Sequence, residues 1–152
     1  MIISFIGHSL VISKSTIEKA LGDQLERLIE DKQEVICYLG GYGDFDEIAG
    51  CACVKLKKKY KTIETVYVSP YMSMPEQRRI KEMIELGLYD SSVYPPIENT
   101  PPKFAISKRN EWMMKNADVV VAFVKHNRGG AYKTLSFARR IGKKIINIAE
   151  LL

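Results

Sequence analysis

The sequence predicts an α/β protein with a doubly wound, mainly parallel, five-stranded sheet and helices on both faces. Three observations support this. Short runs rich in β-branched and aromatic residues, such as residues 2–6 and 118–124, alternate with longer segments whose apolar residues recur at the helical period. Several of these runs are apolar throughout, as expected of strands buried on both faces. Two glycine pairs, Gly40-Gly41 and Gly129-Gly130, stand just past such runs, where a strand would turn tightly into a helix.

Residues 2–6 form the first predicted strand. After Ser15, residues Ile17, Ala20, Leu21, Leu25, Leu28 and Ile29 make one helical stripe. Residues 34–39 are the second strand, and Phe45, Ile48, Ala49, Ala52, Cys53, Leu56 and Tyr60 mark one side of the next helix. Residues 62–68, rich in β-branched side chains, form the third strand. Ser69-Pro70 ends it, and Ser73-Met-Pro-Glu76 reads as a capping box that opens a short helix ending near Gly87. Pro95-Pro96 and Pro101-Pro102 make residues 89–103 an extended loop, either a lid or partner-binding segment or a plain connector. A helix over 105–116 leads into the fourth strand, 118–124. The last helix turns Leu135, Ala138 and Ile141 inwards and is capped by Gly142, and residues 144–148 form the fifth strand.

The chain has 152 residues and reads as a single domain over 1–152 with room for a sizeable core. No apolar run approaches the roughly 20 residues needed to cross a bilayer, and the apolar start lacks the basic flank of a signal peptide, so a cytoplasmic protein without a membrane partner is expected. Three cysteines without a paired spacing fit reduced, structural thiols. His8 and His126 are too few and too scattered for a metal site, and no cofactor is called for. The net charge of +5 suits a small phosphorylated ligand as well as nucleic acid. The lysine cluster Lys55, Lys57, Lys58, Lys59 and Lys61 lies at a helix end, where it complements the helix dipole; a solvated terminus is the favoured reading.

In a doubly wound sheet, ligands bind beyond the carboxyl ends of the strands. Three loops leave such ends with suitable residues: Gly7, His8 and Ser9; Gly40, Gly41, Tyr42, Gly43, Asp44 and Asp46; and Arg128, Gly129, Gly130, Tyr132, Lys133 and Thr134. Glycine lets backbone N–H groups approach an anion, and a helix N-terminus adds partial positive charge. Arg109, beside an apolar helical stripe, is either a fork for phosphate or carboxylate or half of a structural ion pair with Asp118 or Glu111. In the first case Arg109→Ala weakens ligand binding with little loss of stability. Asn110, His8 and Asp46 are candidates to hydrogen-bond ribose or base edges, and Tyr42 or Tyr132 to stack on a base. Asp46 reads equally well as compensation for a helix N-terminus.

The motifs Phe5-Ile-Gly7-His8, Gly40-Gly41-Tyr-Gly43-Asp-Phe-Asp46-Glu-Ile-Ala49, Phe104-Ala-Ile-Ser-Lys-Arg109-Asn110, Ala117-Asp-Val-Val-Val-Ala-Phe123 and Gly129-Gly130-Ala-Tyr-Lys-Thr134 occur in this order. Together they resemble the SLOG (SMF/DprA–LOG) superfamily over nearly the whole chain. The resemblance implies a Rossmann-like fold that binds nucleotides or nucleotide-derived molecules, and self-association. Members include phosphoribohydrolases, DNA-processing proteins and ligand sensors. The Lonely Guy phosphoribohydrolases carry an arginine, here Arg109, and a Pro-Gly-Gly-x-Gly-Thr-x-x-Glu loop. In this chain Arg128, Tyr132 and Lys133 replace the proline, third glycine and threonine, and Ser136 stands at the glutamate position. Serine cannot supply the carboxylate that N-glycosidic cleavage needs. The favoured expectation is therefore binding of a nucleotide-derived small molecule, such as a cyclic or ADP-ribose-type signal, for sensing or sequestration without turnover. The first alternative is a phosphoribohydrolase or deoxyribosyltransferase-like enzyme in which Asp44, Asp46 or Glu47 supplies the carboxylate beside Arg109. The second is single-stranded DNA binding.

Overall fold

The computed structural model describes residues 1–152. Its elements are β1 (Ile2–Gly7), α1 (Lys14–Ile29), β2 (Val35–Leu39), α2 (Asp44–Lys59), β3 (Ile63–Val68), α3 (Met74–Glu85), β4 (Ser91–Val93), α4 (Ala105–Lys115), β5 (Val119–Phe123), α5 (Gly130–Arg140) and β6 (Lys144–Asn147). Short 3-10 turns precede α4 and close the chain. No helix is long and apolar enough to cross a membrane.

All six strands are parallel, in the order β4-β3-β2-β1-β5-β6. The chain winds outwards from β1 to β4, then returns to β5 on the other side of β1. The tips of β1 and β5 are therefore adjacent at the point where winding reverses, with Gly7 paired to Phe123. The sheet has one strand more than expected, because residues 91–93 pair with Val66–Val68 of β3. The prolines exclude helix from this stretch, but they begin only at Pro95, so a three-residue edge strand fits ahead of them. Asp90 anchors it by accepting from Thr65 N at 2.8 Å.

Two apolar layers flank the sheet. The larger packs Ile17, Leu21, Leu25 and Ile29 of α1 and Phe45, Ile48, Ala49, Ala52 and Cys53 of α2 against one face, with Ile80, Met83 and Ile84 of α3 at its margin. The smaller packs Met113 and Met114 of α4 and Leu135 and Ala138 of α5 against the other. The stripes read from the sequence face the core, with Ala20, Leu28, Leu56 and Tyr60 half-buried at its margin and one residue outside it. Ile141 lies past the end of α5 and is 39% exposed, because Gly142, at φ +76°, turns the chain away.

The lysine cluster proves largely paired. Lys55 meets Glu18 at 2.5 Å, Lys57 meets Asp90 at 2.6 Å, and Lys59 meets Glu26. The capping box is half formed: Ser73 Oγ accepts from Glu76 N at 3.4 Å, but the Glu76 carboxylate turns into the protein.

Gly7 is required by packing. A Cβ there would lie 2.4 Å from the Phe45 ring, which is itself fully buried. Gly7→Ala is expected to destabilise the protein by about 1–3 kcal/mol, the usual range for overpacking. Urea denaturation measures this, and an unchanged midpoint would show that the Phe45 ring moves freely.

Candidate functional site

A cleft of about 490 Å3 opens at the carboxyl ends of the central strands. Its walls come from three strand-end loops and α4: Gly7, His8 and Ser9 beyond β1; Tyr42 and Asp46 beyond β2; Ile106, Arg109 and Asn110 of α4; and His126, Gly129 and Gly130 around the start of α5. Gly40, Gly41, Tyr132, Lys133 and Thr134 are not on its walls. Gly40 is buried behind the cleft, and Thr134 is buried in α5. Tyr132 packs against the smaller core layer, and Lys133 faces solvent.

Backbone contacts hold the first two loops together. Asp44 N donates to Ser9 O at 2.9 Å, Phe45 N to His8 O at 3.3 Å, and Val11 N to the Asp44 carboxylate at 2.9 Å. Gly43, at φ +89°, passes so close that a Cβ would lie 2.7 Å from Ser9 Cα. His8 secures the third loop: its Nε2 accepts from Lys125 N at 2.8 Å and His126 N at 3.2 Å. Burial and the neighbouring His126 hold the His8 pKa below the usual imidazole value. With Nε2 taken up as an acceptor, Nδ1 is left as the free nitrogen of the ring. The Asn147 amide completes the frame, bonding both the N–H and the carbonyl of Val124 at 3.0 and 2.9 Å.

Arg109 is 2% exposed. Its Nη1 donates to Val68 O at 2.6 Å and Gly40 O at 3.0 Å, and its Nε to Asn110 Oδ1 at 2.9 Å. Neither expected ion-pair partner meets it. Asp118 accepts from Ile2 N at 2.7 Å, and Glu111 pairs with Lys108 at 3.3 Å. The charge facing Arg109 is Asp46, across Gly40; a Cβ on Gly40 would lie 3.1 Å from both Arg109 Nη2 and Asp46 Oδ2. Nη2 makes none of the side chain's hydrogen bonds, is not fully enclosed, and belongs to a residue on the cleft wall.

Asp46 accepts from Tyr42 N at 2.9 Å. Burial raises its pKa to about 6, against the pull of that hydrogen bond and of Arg109. Asp46 is the only carboxylate on the cleft wall. Asp44 pairs with Lys14 at 3.3 Å, and Glu47 faces a different cavity. Ser136 Oγ donates to Tyr132 O at 2.9 Å, within its own helix. Because Asp46 gains charge as pH rises through about 6, the affinity of the cleft for an anion is expected to fall over that range. Asp46→Asn should remove this dependence. A titration of sulfate or AMP binding between pH 5 and 8 checks it; an equal slope in both proteins would sink it.

A cluster not legible in the sequence lies behind Tyr42. Glu76, 7% exposed, accepts from Tyr42 Oη at 3.1 Å, Tyr67 Oη at 3.2 Å and Arg79 Nη1 at 2.9 Å. Arg79 Nη2 donates to Gly41 O at 3.1 Å, and both Arg79 and Arg109 lie over the Tyr42 ring, at 5.1 and 5.6 Å from its centroid. Tyr42 is thereby oriented at the rim, where it remains 38% exposed.

At the opposite wall, α5 starts at Gly130 with no side-chain cap. Gly129 takes φ +90°, and a Cβ at Gly129 or Gly130 would meet no atom within 4 Å. The first N–H groups of the helix thus face an open cleft, an arrangement suited to phosphate.

The fold is a Rossmann-like α/β fold of the type seen in DNA processing protein A (DprA). DprA from Streptococcus pneumoniae superposes with a TM-score of 0.64 at 17% identity, covering 94% of this chain and 48% of that one. DprA from Helicobacter pylori, described for its single-stranded DNA binding mode, gives 0.61 at 18% identity, covering 95% and 63%. The chain therefore spans roughly half to under two thirds of the DprA chains it matches. In sequence, it is 28% identical over 133 residues to the uncharacterized SPbeta prophage-derived protein YoqJ of Bacillus subtilis, covering 76% of each. No protein-family model matches the chain.

Proposed function

We propose that the chain is a member of the SLOG superfamily that binds a nucleotide-derived ligand in the cleft without turning it over. The carrying observation is the convergence of three strand-end loops and an uncapped helix N-terminus on one cleft. In this reading the N–H groups of α5 hold phosphate, and Arg109 Nη2 adds charge at the floor. Asn110, Asp46 and His8 Nδ1 meet ribose or base, with the Tyr42 ring at the rim. The position of Ser136, off the cleft wall and bonded within its own helix, supports binding without hydrolysis, since it brings no carboxylate to the cleft. A cyclic or ADP-ribose-type signal suits the site, and the chain then senses or sequesters it in the cytoplasm as a homo-oligomer. Calorimetric titration with AMP and ADP-ribose, followed by chromatography for free base, tests this. Saturable binding with intact ligand is expected. Base release that disappears in Asp46→Asn replaces the reading with a hydrolase.

A second reading, single-stranded DNA binding, is favoured by the likeness to DprA and by a charge asymmetry. Residues 101–152 carry 11 Lys and Arg against 3 Asp and Glu, whereas residues 1–100 carry 12 against 15. The excess lies on and around α4 and α5. Lys108-Trp112-Lys115 and Lys133-Phe137-Arg140 place a ring between two cations on each helix, and both Lys115 and Arg140 lie within 6 Å of the Phe137 centroid. Oligo-dT affinity measured against salt checks it. Each phosphate contact contributes a slope of about −0.7 in log K against log salt.

A further inference from the structure

We propose that a second cavity, across the 41–46 loop from the cleft, is a binding site for a small aromatic acid. The cavity holds about 580 Å3, within the range of small-molecule sites. One wall is a single face of α2, on which Glu47, Gly50, Val54 and Lys58 follow at helical spacing. Met83 of α3, Leu88 and Tyr89 form the other.

Three independent features point to an occupant. Tyr89 lines the cavity and is 8% exposed, yet its hydroxyl makes no hydrogen bond within the chain and is not fully enclosed by it. Burial, reinforced by Asp46, pushes its pKa up to about 12, so it stays a protonated donor. Gly50 interrupts the middle of α2, where a Cβ would meet no atom within 4 Å. Packing does not require glycine there, and glycine weakens a helix interior; what it provides is space along the wall. Lys58 has no carboxylate partner, whereas Lys55, Lys57 and Lys59 on the same helix each have one.

These features fix the ligand's class and its direction. Val54, Met83 and the 45%-exposed Leu88 offer apolar surface to a ring, and the Tyr89 hydroxyl offers one donor. Asp46 and Glu47 repel an acid group at the upper end. Lys58, eight residues past Gly50 and so about 12 Å along the axis, attracts it at the lower end. Its side chain leans back towards the cavity, as helical side chains do.

The test uses 8-anilinonaphthalene-1-sulfonate, an aromatic sulfonate that fluoresces on leaving water. Saturable binding of one dye per chain is expected, weakened at least tenfold by Gly50→Leu and by Lys58→Glu, and unchanged by Gly130→Asp in the cleft. Bound dye should also slow alkylation of Cys51, which lines the cavity and is the one exposed cysteine. Lys58→Glu lies on the surface and decides the matter if Gly50→Leu fails to fold. Absence of saturable binding overturns the proposal. So does binding indifferent to Lys58→Glu, or lost in Gly130→Asp.

Discussion

Arg109→Ala is expected to destabilise the protein by about 3–5 kcal/mol, the cost of removing one member of a buried charged constellation. The guanidinium is 2% exposed and ties α4 to the ends of two strands through Gly40 O and Val68 O. Without it those carbonyls lose a charged donor, and Asp46 loses the cation facing it. For a domain of this size the melting temperature should fall by about 10 °C, at roughly 2–4 °C per kcal/mol. Read from the sequence as an anion fork, Arg109 led to the opposite expectation, weakened binding with stability retained; read as half of a structural ion pair, it led to a loss of stability. Arg109→Lys should recover only part of the loss, because an ammonium cannot reproduce the fork. The loss should also be smaller when Asp46 is already asparagine, since less charge is then left unmatched. A melt of Arg109→Ala within 2 °C of the parent would show that the guanidinium is dispensable to the fold.

Gly130→Asp should separate binding from stability. A Cβ at residue 130 meets open space, and a carboxylate in the first turn of α5 favours the helix dipole. The melting temperature should therefore hold or rise slightly. The same carboxylate occupies the place proposed for phosphate and repels it. Affinity for AMP or ADP-ribose should fall about 100-fold, or roughly 2.7 kcal/mol. Calorimetry alongside a thermal melt checks both halves. Unchanged affinity in a normally folded Gly130→Asp would move the phosphate elsewhere in the cleft.

Much of the architecture was written locally. Ile17, Leu21, Leu25 and Ile29 recur at the helical period and are buried together; Val119–Phe123 is apolar throughout and lies inside the sheet, between β1 and β6. The glycines beyond the strands announced tight turns, and Gly43, Gly129 and Gly142 take positive φ. Such signals survive in a single sequence because period, β-branching and glycine freedom act over a few residues. The sixth strand was hidden because three residues carry too little pattern to stand out ahead of a proline-rich run.

Local pattern was enough for five of the six strands, the helix faces that are buried and the glycine turns that bring loops to the strand ends. Tertiary packing chose which side chains meet there. It buried Arg109 against Gly40 and Val68 carbonyls, sent Glu76 from its helix cap to Tyr42, Tyr67 and Arg79, and left Glu47 off the cleft wall, on the second cavity that Asp46 also borders. The reason is range. Periodicity and turn chemistry are set by neighbours along the chain, whereas Tyr42 lies 34 positions from Glu76 and Gly40 lies 69 from Arg109, and they come close only when the sheet assembles.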